Sequence, residues 1–429
     1  CALCALCVLC ALCGVAHGST STLPRKDHTL YEIQQCEYNS IMTSTTFWHT
    51  LPRPILALSP MDGVTDQPYR HLQKKYGPPM LIYTEFTSAE GLCLSQGRLL
   101  RDLLYDETQR PIIAQIFGKR PDFFYQAAII VCELGFDGFD INMGCPSKTV
   151  AQGGSGAALI RTPQLAQEIV RAAQQGVRDW QNGATVYDCP DLPQRVAHLI
   201  VQRKAQLPLA YQQRRPIPVS VKTRIGYETP IVDEWLPYLL DVAPVAIGIH
   251  GRTLEQGYGG EASWEEIGRA VEVARGSGIL ILGNGDIASL PQAHQRVQAY
   301  GVDGVLVGRA TYGNPFFFDP TADPFPTAEP PEPAMLRTFA QLMVEHAQMY
   351  EATYQHYEKY FFSPMRKHLG WYARNMHGGK KLRIPLMQTN GPSEVMTVLA
   401  QQGYLAEPVT RPALAPIEQF NPVPQWVAA

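Results

Sequence analysis

Eight short β-branched or apolar runs recur along the chain, and the stretches between them carry helical spacing. They are ILALSPM from Ile55, LIYTEF from Leu81, IIAQIFG from Ile112, GFDINMGC from Gly138, VSVKTRIG from Val219, AIGIHGR from Ala246, ILILGNGDI from Ile279 and GVLVGRA from Gly304. Strands that read as continuously apolar belong to a parallel sheet covered on its outer face, whereas a half-solvated sheet would alternate. Eight such units in succession predict a closed (β/α)8 TIM barrel rather than an open doubly wound sheet. With 429 residues the chain can hold a barrel of about 250 residues and a second, smaller domain.

The connecting segments support that order. Asp66 to Tyr76 places Tyr69, Leu72 and Tyr76 on one helical face, and Pro121 to Leu134 opens on Pro and Asp, both favoured in a first turn. Thr162 and Pro163 are expected to cap a helix from Gln164 to about Trp180, and Ser289 to Tyr300 forms the helix before the last strand. Residues 183–216 are too long for a barrel loop of ~2–6 residues and read as an insertion with its own helix, expected to decorate the N-terminal end of the barrel. The barrel is assigned to residues 42–318, a Pro-rich linker to 319–333, and an all-α helical domain with a C-terminal tail to 334–429. Met335 to Tyr360 carries the apolar spacing of a bundle helix.

Polar residues gather at the C-terminal ends of the strands, the rim where the βα loops of a barrel converge. Ser59, Pro60 and Met61 end the first strand, Gln115 the third, Asn142 and Cys145 the fourth, and Lys222 and Arg224 the fifth. His250 and Arg252 end the sixth, Asn284 and Asp286 the seventh, and Gly308 and Arg309 the eighth. Cys145, held between Gly144 and Pro146 where the strand stops, is a candidate proton donor or nucleophile; a half-buried loop cysteine is the plainer alternative. Gly283, Gly285 and Gly308 let backbone N–H groups approach an anion, with Arg309 opening a helix. Ordinary tight turns would explain either loop alone, but together they occupy the usual phosphate position after strands seven and eight. Lys222 at a strand end is costly to bury without an anionic or electron-rich partner. For His250 a satisfied core histidine stays open.

Composition adds limits. A net charge of -3 leaves any nucleic-acid surface to a local patch. Such a patch is offered by 359–383, which contains Lys359, Arg366, Lys367, Arg374, Lys380, Lys381 and Arg383, no carboxylate, and the interleaved Trp371 and Tyr372. That mixture suits phosphate contact and base stacking; a solvated helix face is the alternative. Five cysteines fall every third residue from Cys1 to Cys13 without the His and polar second shell of a metal cluster, and no metal site is assigned. Residues 1–41 are expected to be an extension with Met42 as the working start. The scattered remaining cysteines suit a reducing cytosol, and no run other than the N-terminal one approaches a membrane span, so a soluble, cytoplasmic, monomeric protein is expected.

Taken in order, PMDGVTD, NMGCPSK, SVKTRIG, IHGRT, GNGDI and VGRA followed by GNPF resemble the tRNA-dihydrouridine synthases, from about Pro54 to Phe318. FSPMRKHLGWY resembles that family's helical tRNA-binding domain and leans toward its bacterial DusB-like branch. The resemblance implies FMN across the barrel mouth, with Pro60, Met61 and Asp62 beside the ring and Gln115 and Lys222 at its polar edge. His250 would also face the cofactor, and Asn284, Gly285, Asp286, Gly308 and Arg309 would hold ribityl and phosphate. NADPH or NADH would reduce the flavin, hydride would pass to uracil C6, and Cys145 would protonate C5. Asn142 and Arg224 would hold the uracil edge, while Arg366, Lys367, Lys380 and Lys381 would meet tRNA. Two other readings share parts of this pattern: an FMN barrel reductase of a small molecule, of dihydroorotate or enone type, and a catalytically idle RNA-binding barrel.

Overall fold

The computed structural model describes residues 46–322 and 333–405. Eight parallel strands close into a barrel in sequence order: β1 (Ile55–Leu58), β2 (Leu81–Ser88), β3 (Ile112–Phe117), β4 (Gly138–Met143), β5 (Val219–Arg224), β6 (Ala246–His250), β7 (Leu280–Asn284) and β8 (Gly304–Val307). β8 pairs back onto β1 in register from Ile55 with Gly304 to Leu58 with Val307.

The apolar strands hide a period of two, because both faces are buried. Ile55 and Ala57, Leu81 and Tyr83, Leu280 and Leu282, and Leu306 point inward as one cluster. Their neighbours Leu56, Leu58, Ile82, Ile281, Val305 and Val307 join the larger cluster under the outer helices. Trp48, from the short helix Phe47–Thr50 that precedes β1, is fully buried in the inward cluster and closes the barrel floor. Higher on the same inward faces the residues turn polar. Alternation therefore carries Ser220, Lys222 and Arg224 of β5, and Asp140 and Asn142 of β4, onto the barrel's inner side.

Around the strands run α1 (Gln67–Tyr76), α2 (Pro121–Glu133), α3 (Pro163–Gln181), α4 (Val232–Asp241), α5 (Trp264–Ala274) and α6 (Leu290–Tyr300). Asp66 caps α1 by accepting from the Tyr69 amide at 3.0 Å, and Ser263 and Ser289 cap α5 and α6 in the same way. Pro163 opens α3, but the Thr162 hydroxyl makes no capping bond, so proline geometry alone starts that helix. Within 183–216 lie helices Gln194–Gln206 and Leu209–Gln212. Val196, Ala197 and Ile200 bury against the barrel's helical layer, Lys204 pairs with Glu133 at 3.0 Å, and Arg215 donates to the Gly135 and Phe136 carbonyls just before β4. The end of the insertion from Lys204 to Arg215 thus lies near the start of β4, while Arg195 at its other end donates to the Gln96 carbonyl in the connection after β2.

Four further helices follow: α7 (Pro333–Tyr354), α8 (Ser363–Asn375), α9 (Lys380–Leu386) and α10 (Pro392–Gln401). They share a core that includes Phe339, Met343, Met365, Leu369, Leu382, Val395 and Leu399, and Leu72 of α1 joins it. The helix expected to reach Tyr360 stops at Tyr354, because Tyr357 turns back to pack against the barrel's outer cluster. The segments assigned to 1–41, most of the linker and the tail beyond 405 lie outside the described residues. No helix among the described residues is long and apolar enough to cross a membrane.

Candidate active site

The mouth of the barrel opens into a cavity of about 930 Å³, lined from seven strand ends by residues that include Pro60, Met61, Asp62, Gln115, Asn142, Cys145, Lys222, Arg224, His250, Asn284, Gly285, Asp286, Gly308 and Arg309. Of the glycines expected to approach an anion, Gly283 is missing from that lining: it faces the outer helix, where a Cβ would come within 2.5 Å of the Trp264 ring. Phe86 enters from the eighth strand end because the pairing of β2 with β3 slips between Tyr83 and Phe86. Such a bulge re-aims the residues that follow it.

A hydrogen-bonded chain runs across the inner wall. Ser220 Oγ donates to Asp140 Oδ1 at 2.6 Å, Gln115 Nε2 donates to Asp140 Oδ2 at 2.7 Å, and Asn142 Nδ2 donates to Gln115 Oε1 at 2.9 Å. Asn142 Oδ1 then accepts from the backbone amides of Gly144 and Cys145 at 3.1 and 2.9 Å. Asn142 therefore fixes where the Cys145 thiol sits. Burial raises the Asp140 carboxyl to about 6 despite its two donors.

Cys145 is 8% exposed, and burial pushes its thiol above the ordinary value, so it is a thiol at neutral pH. Lys222 stands beside it without a hydrogen bond or ion pair to any described residue, and burial lowers its ammonium to about 8. His250 is buried, and burial together with Lys222, Arg224 and Arg252 holds it far below the ordinary imidazole range. Its Nε2 lies 3.4 Å from Arg252 Nη1, so the neutral ring accepts there and carries its proton on Nδ1.

Arg224 and Arg252 build the loop above the cavity. Arg224 donates to the carbonyls of Gly144, Thr253 and Gly257, and Arg252 to those of Gly259 and Gly260. Asp286, itself a lining residue, accepts from Arg252 at 2.6 Å and Arg309 at 2.7 Å, so its carboxylate aims Arg309. Gly285 has φ +130, and a Cβ on Gly308 would come within 3.2 Å of Met61 Sδ. A Cβ on Gly285 would come within 2.6 Å of the Ala262 Cβ and 3.2 Å of the His250 ring, so neither position has room for a side chain without displacing a neighbour. Lys222, Arg224 and Arg309 outnumber Asp62 and Asp286 among the lining residues, so the cavity favours an anion.

The comparisons with known proteins bear on this arrangement. The family model described as "Dihydrouridine synthase (Dus)" matches residues 56–185 and 197–407. The chain belongs to the dihydrouridine synthase family. The stretch it leaves out, 186–196, falls in the insertion. "Probable tRNA-dihydrouridine synthase 2" of Bacillus subtilis (strain 168) is 32% identical over 361 residues, covering 82% of this chain and 95% of that protein. "Probable tRNA-dihydrouridine synthase" of Staphylococcus epidermidis (strain ATCC 35984) is 31% identical with the same coverage. Among solved structures, a morphinone reductase complexed with tetrahydroNAD is 12% identical, covers 62% of this chain and 86% of its own, and has a TM-score of 0.36, too distant for inference. Family membership makes the chain an oxidoreductase.

The C-terminal cations divide into two groups. Lys380 and Lys381, with Arg374 and Arg383, are exposed and without an ion pair among the described residues. Arg366 and Lys367 are half-buried: Arg366 donates to the Thr389 carbonyl and Asn390 Oδ1, and Lys367 to the Gly63 carbonyl. The two aromatic residues are not free to stack on a base either. Tyr372 is buried with its hydroxyl 3.2 Å from His346 Nδ1, and Trp371 stacks on Tyr312 with ring centroids 4.0 Å apart. Asp140, Ser220 and the exposed cavity residue Tyr258 were not singled out in the sequence, and Arg252 was placed at the rim without a role. Asp140 and Ser220 could have been found by extending the alternation that selects Asn142 and Lys222 one step down each strand.

Proposed function

We propose that this chain reduces a specific uridine of tRNA to 5,6-dihydrouridine, with FMN in the barrel mouth and NADPH or NADH as reductant. What carries the reading is one cavity that joins a half-buried ammonium, without a hydrogen bond or ion pair among the described residues, to a thiol kept protonated by burial. The cavity's size lies within the ~300–1,000 Å³ of cofactor sites. Its residues fit FMN. Pro60, Met61 and Asp62 would lie beside the ring, with Gln115, Lys222 and His250 at its polar edge. Asn284, Gly285, Gly308 and Arg309 would take the ribityl and phosphate, with Asp286 behind Arg309.

The chemistry that flavin would supply when bound is the hydride for uracil C6. As C6 gains hydrogen, negative charge develops on the ring, and Cys145 Sγ gives its proton to C5. The thiol must be protonated beforehand, which burial ensures. Asn142 holds the Cys145 backbone in place, and its remaining N–H, with Arg224, borders the uracil edge. The uridine leaves its RNA surroundings to reach this depth. The helical domain supplies the outer grip through Lys380 and Lys381, whose charges face solvent. The barrel with its insertion, the Pro-rich linker and the helical domain then act as catalytic unit, spacer and RNA holder.

Purified protein should be yellow and release FMN when denatured. With NADPH it should form dihydrouridine in tRNA lacking modifications, read by mass spectrometry of the nucleosides. Flavin without product on a full set of tRNAs would contradict the substrate, and colourless protein unable to take up FMN would contradict the cofactor.

A further inference from the structure

The helical domain touches the cavity's own loops through one stripe of α8. Lys367, Trp371 and Asn375 recur every fourth residue and so share a face. Trp371 stacks on Tyr312, a cavity residue, and Asn375 Nδ2 donates to the Tyr312 and Gly313 carbonyls at 3.0 and 3.1 Å. Both contacts fall on the loop after β8. Lys367 reaches the neighbouring loop and donates to the carbonyl of Gly63, after β1, the strand that pairs with β8 in the closed barrel.

The β1 loop is shaped to receive that ammonium. Gly63 has φ +69, a left-handed conformation that side chains rarely adopt, and a Cβ there would come within 3.1 Å of Lys367 Nζ. Asp62 and Asp66 on either side are both lowered by the Lys367 charge, which offsets part of what burial does to them. The turn is closed within itself by Val64 and Thr65 amides donating to the Met61 carbonyl at 3.0 Å and by the Met61 amide donating to Thr65 Oγ1 at 3.0 Å. Pulling on Gly63 therefore moves Met61 and Asp62, both cavity residues, and Met61 Sδ is the group nearest the space at Gly308.

We propose that Lys367 is a positioning residue for the cofactor cavity and not a contact to RNA phosphate: from the helical domain it fixes the Met61–Gly63 turn that forms one wall of the mouth. Trp371 and Asn375 fix the adjoining loop after β8, so α8 ties the two neighbouring loops to each other. The inference rests on the reading of the cavity as a flavin site.

The test compares full-length wild type with Lys367→Met and Lys367→Arg in two binding measurements. FMN affinity is followed by quenching of flavin fluorescence, and unmodified tRNA affinity by filter binding at several salt concentrations. In Lys367→Met, FMN affinity should fall about five- to tenfold and the visible flavin bands shift, as for loss of one charge-assisted hydrogen bond. tRNA affinity and its salt slope should stay as in wild type, and Lys367→Arg should restore most of the FMN affinity. Unchanged FMN affinity with weaker tRNA binding and a shallower salt slope would overturn the proposal and make Lys367 a phosphate contact. Unchanged binding of both would overturn it as well. A wild type that binds no FMN would instead remove the flavin reading beneath it.

Discussion

The floor and the mouth of the barrel are built by the same strands on the same inward face, yet they are chemical opposites. At the floor, Trp48, Ile55, Ala57, Leu81, Tyr83, Ile113, Leu280, Leu282 and Leu306 form one apolar plug. Two residues further along several of those strands, the inward positions become Ser59, Gln115, Asn284 and Gly308. The plug gains from burial; the mouth is strained by it, because Lys222 and Asp140 are held away from their ordinary ionisation. Height along a strand thus separates what holds the barrel together from what it does. Replacements low in the barrel should cost stability and spare chemistry, and replacements high in it should do the reverse.

The largest stability effect should come from the floor. Trp48→Ala removes a fully buried indole and should destabilise the protein by roughly 3–5 kcal/mol in denaturant unfolding, while the flavin spectrum of the folded fraction stays that of wild type. A loss below ~1 kcal/mol would show that the plug does not close the barrel.

At the mouth the sign should invert. Lys222→Met should stabilise flavin-free protein by roughly 1–3 kcal/mol at neutral pH while abolishing tight FMN binding. Burial lowers Lys222 from 10.5 to about 8, so the cost of holding it charged is full below pH 8 and gone above about 10.5. Wild-type stability should therefore climb with pH across that window, and the variant should lack that part of the climb. A variant less stable than wild type at pH 7 would show that the ammonium is satisfied within the protein.

Smaller still should be the effect of the exposed cations on α9. Lys380→Glu with Lys381→Glu should weaken binding of unmodified tRNA about tenfold at low salt and flatten its salt dependence, leaving melting temperature and flavin bands unchanged. Equal affinity would return that face to plain solvated surface.

The same contrast explains what could be read from the chain. The barrel was legible because eight apolar runs spaced by helices have few other solutions, and the mouth because Cys145, Lys222 and the glycine-rich ends of β7 and β8 interrupt apolar runs. Asp140 and Ser220 were harder to see. Each continues the polar alternation of its strand, Asp140 below Asn142 and Ser220 below Lys222, but sits deeper than the strand ends where site residues were sought. Partners across the fold left no local signal: nothing near Asp286 in sequence says that Arg252 and Arg309 hold it. Around Trp371 and Tyr372, composition suggested an RNA face, but composition cannot tell which side of a helix a residue occupies. Packing placed Tyr372 against His346 and Trp371 against Tyr312.

The most direct test of the account is the fate of the proton at Cys145. Wild type and Cys145→Ala, both loaded with FMN and reduced with NADPH in the absence of oxygen, are mixed with unmodified tRNA, and dihydrouridine is measured against time. The account predicts that Cys145→Ala binds FMN and is reduced by NADPH as wild type is, but forms dihydrouridine at least ~100-fold more slowly. Dihydrouridine appearing at the wild-type rate would contradict it and remove Cys145 as the acid.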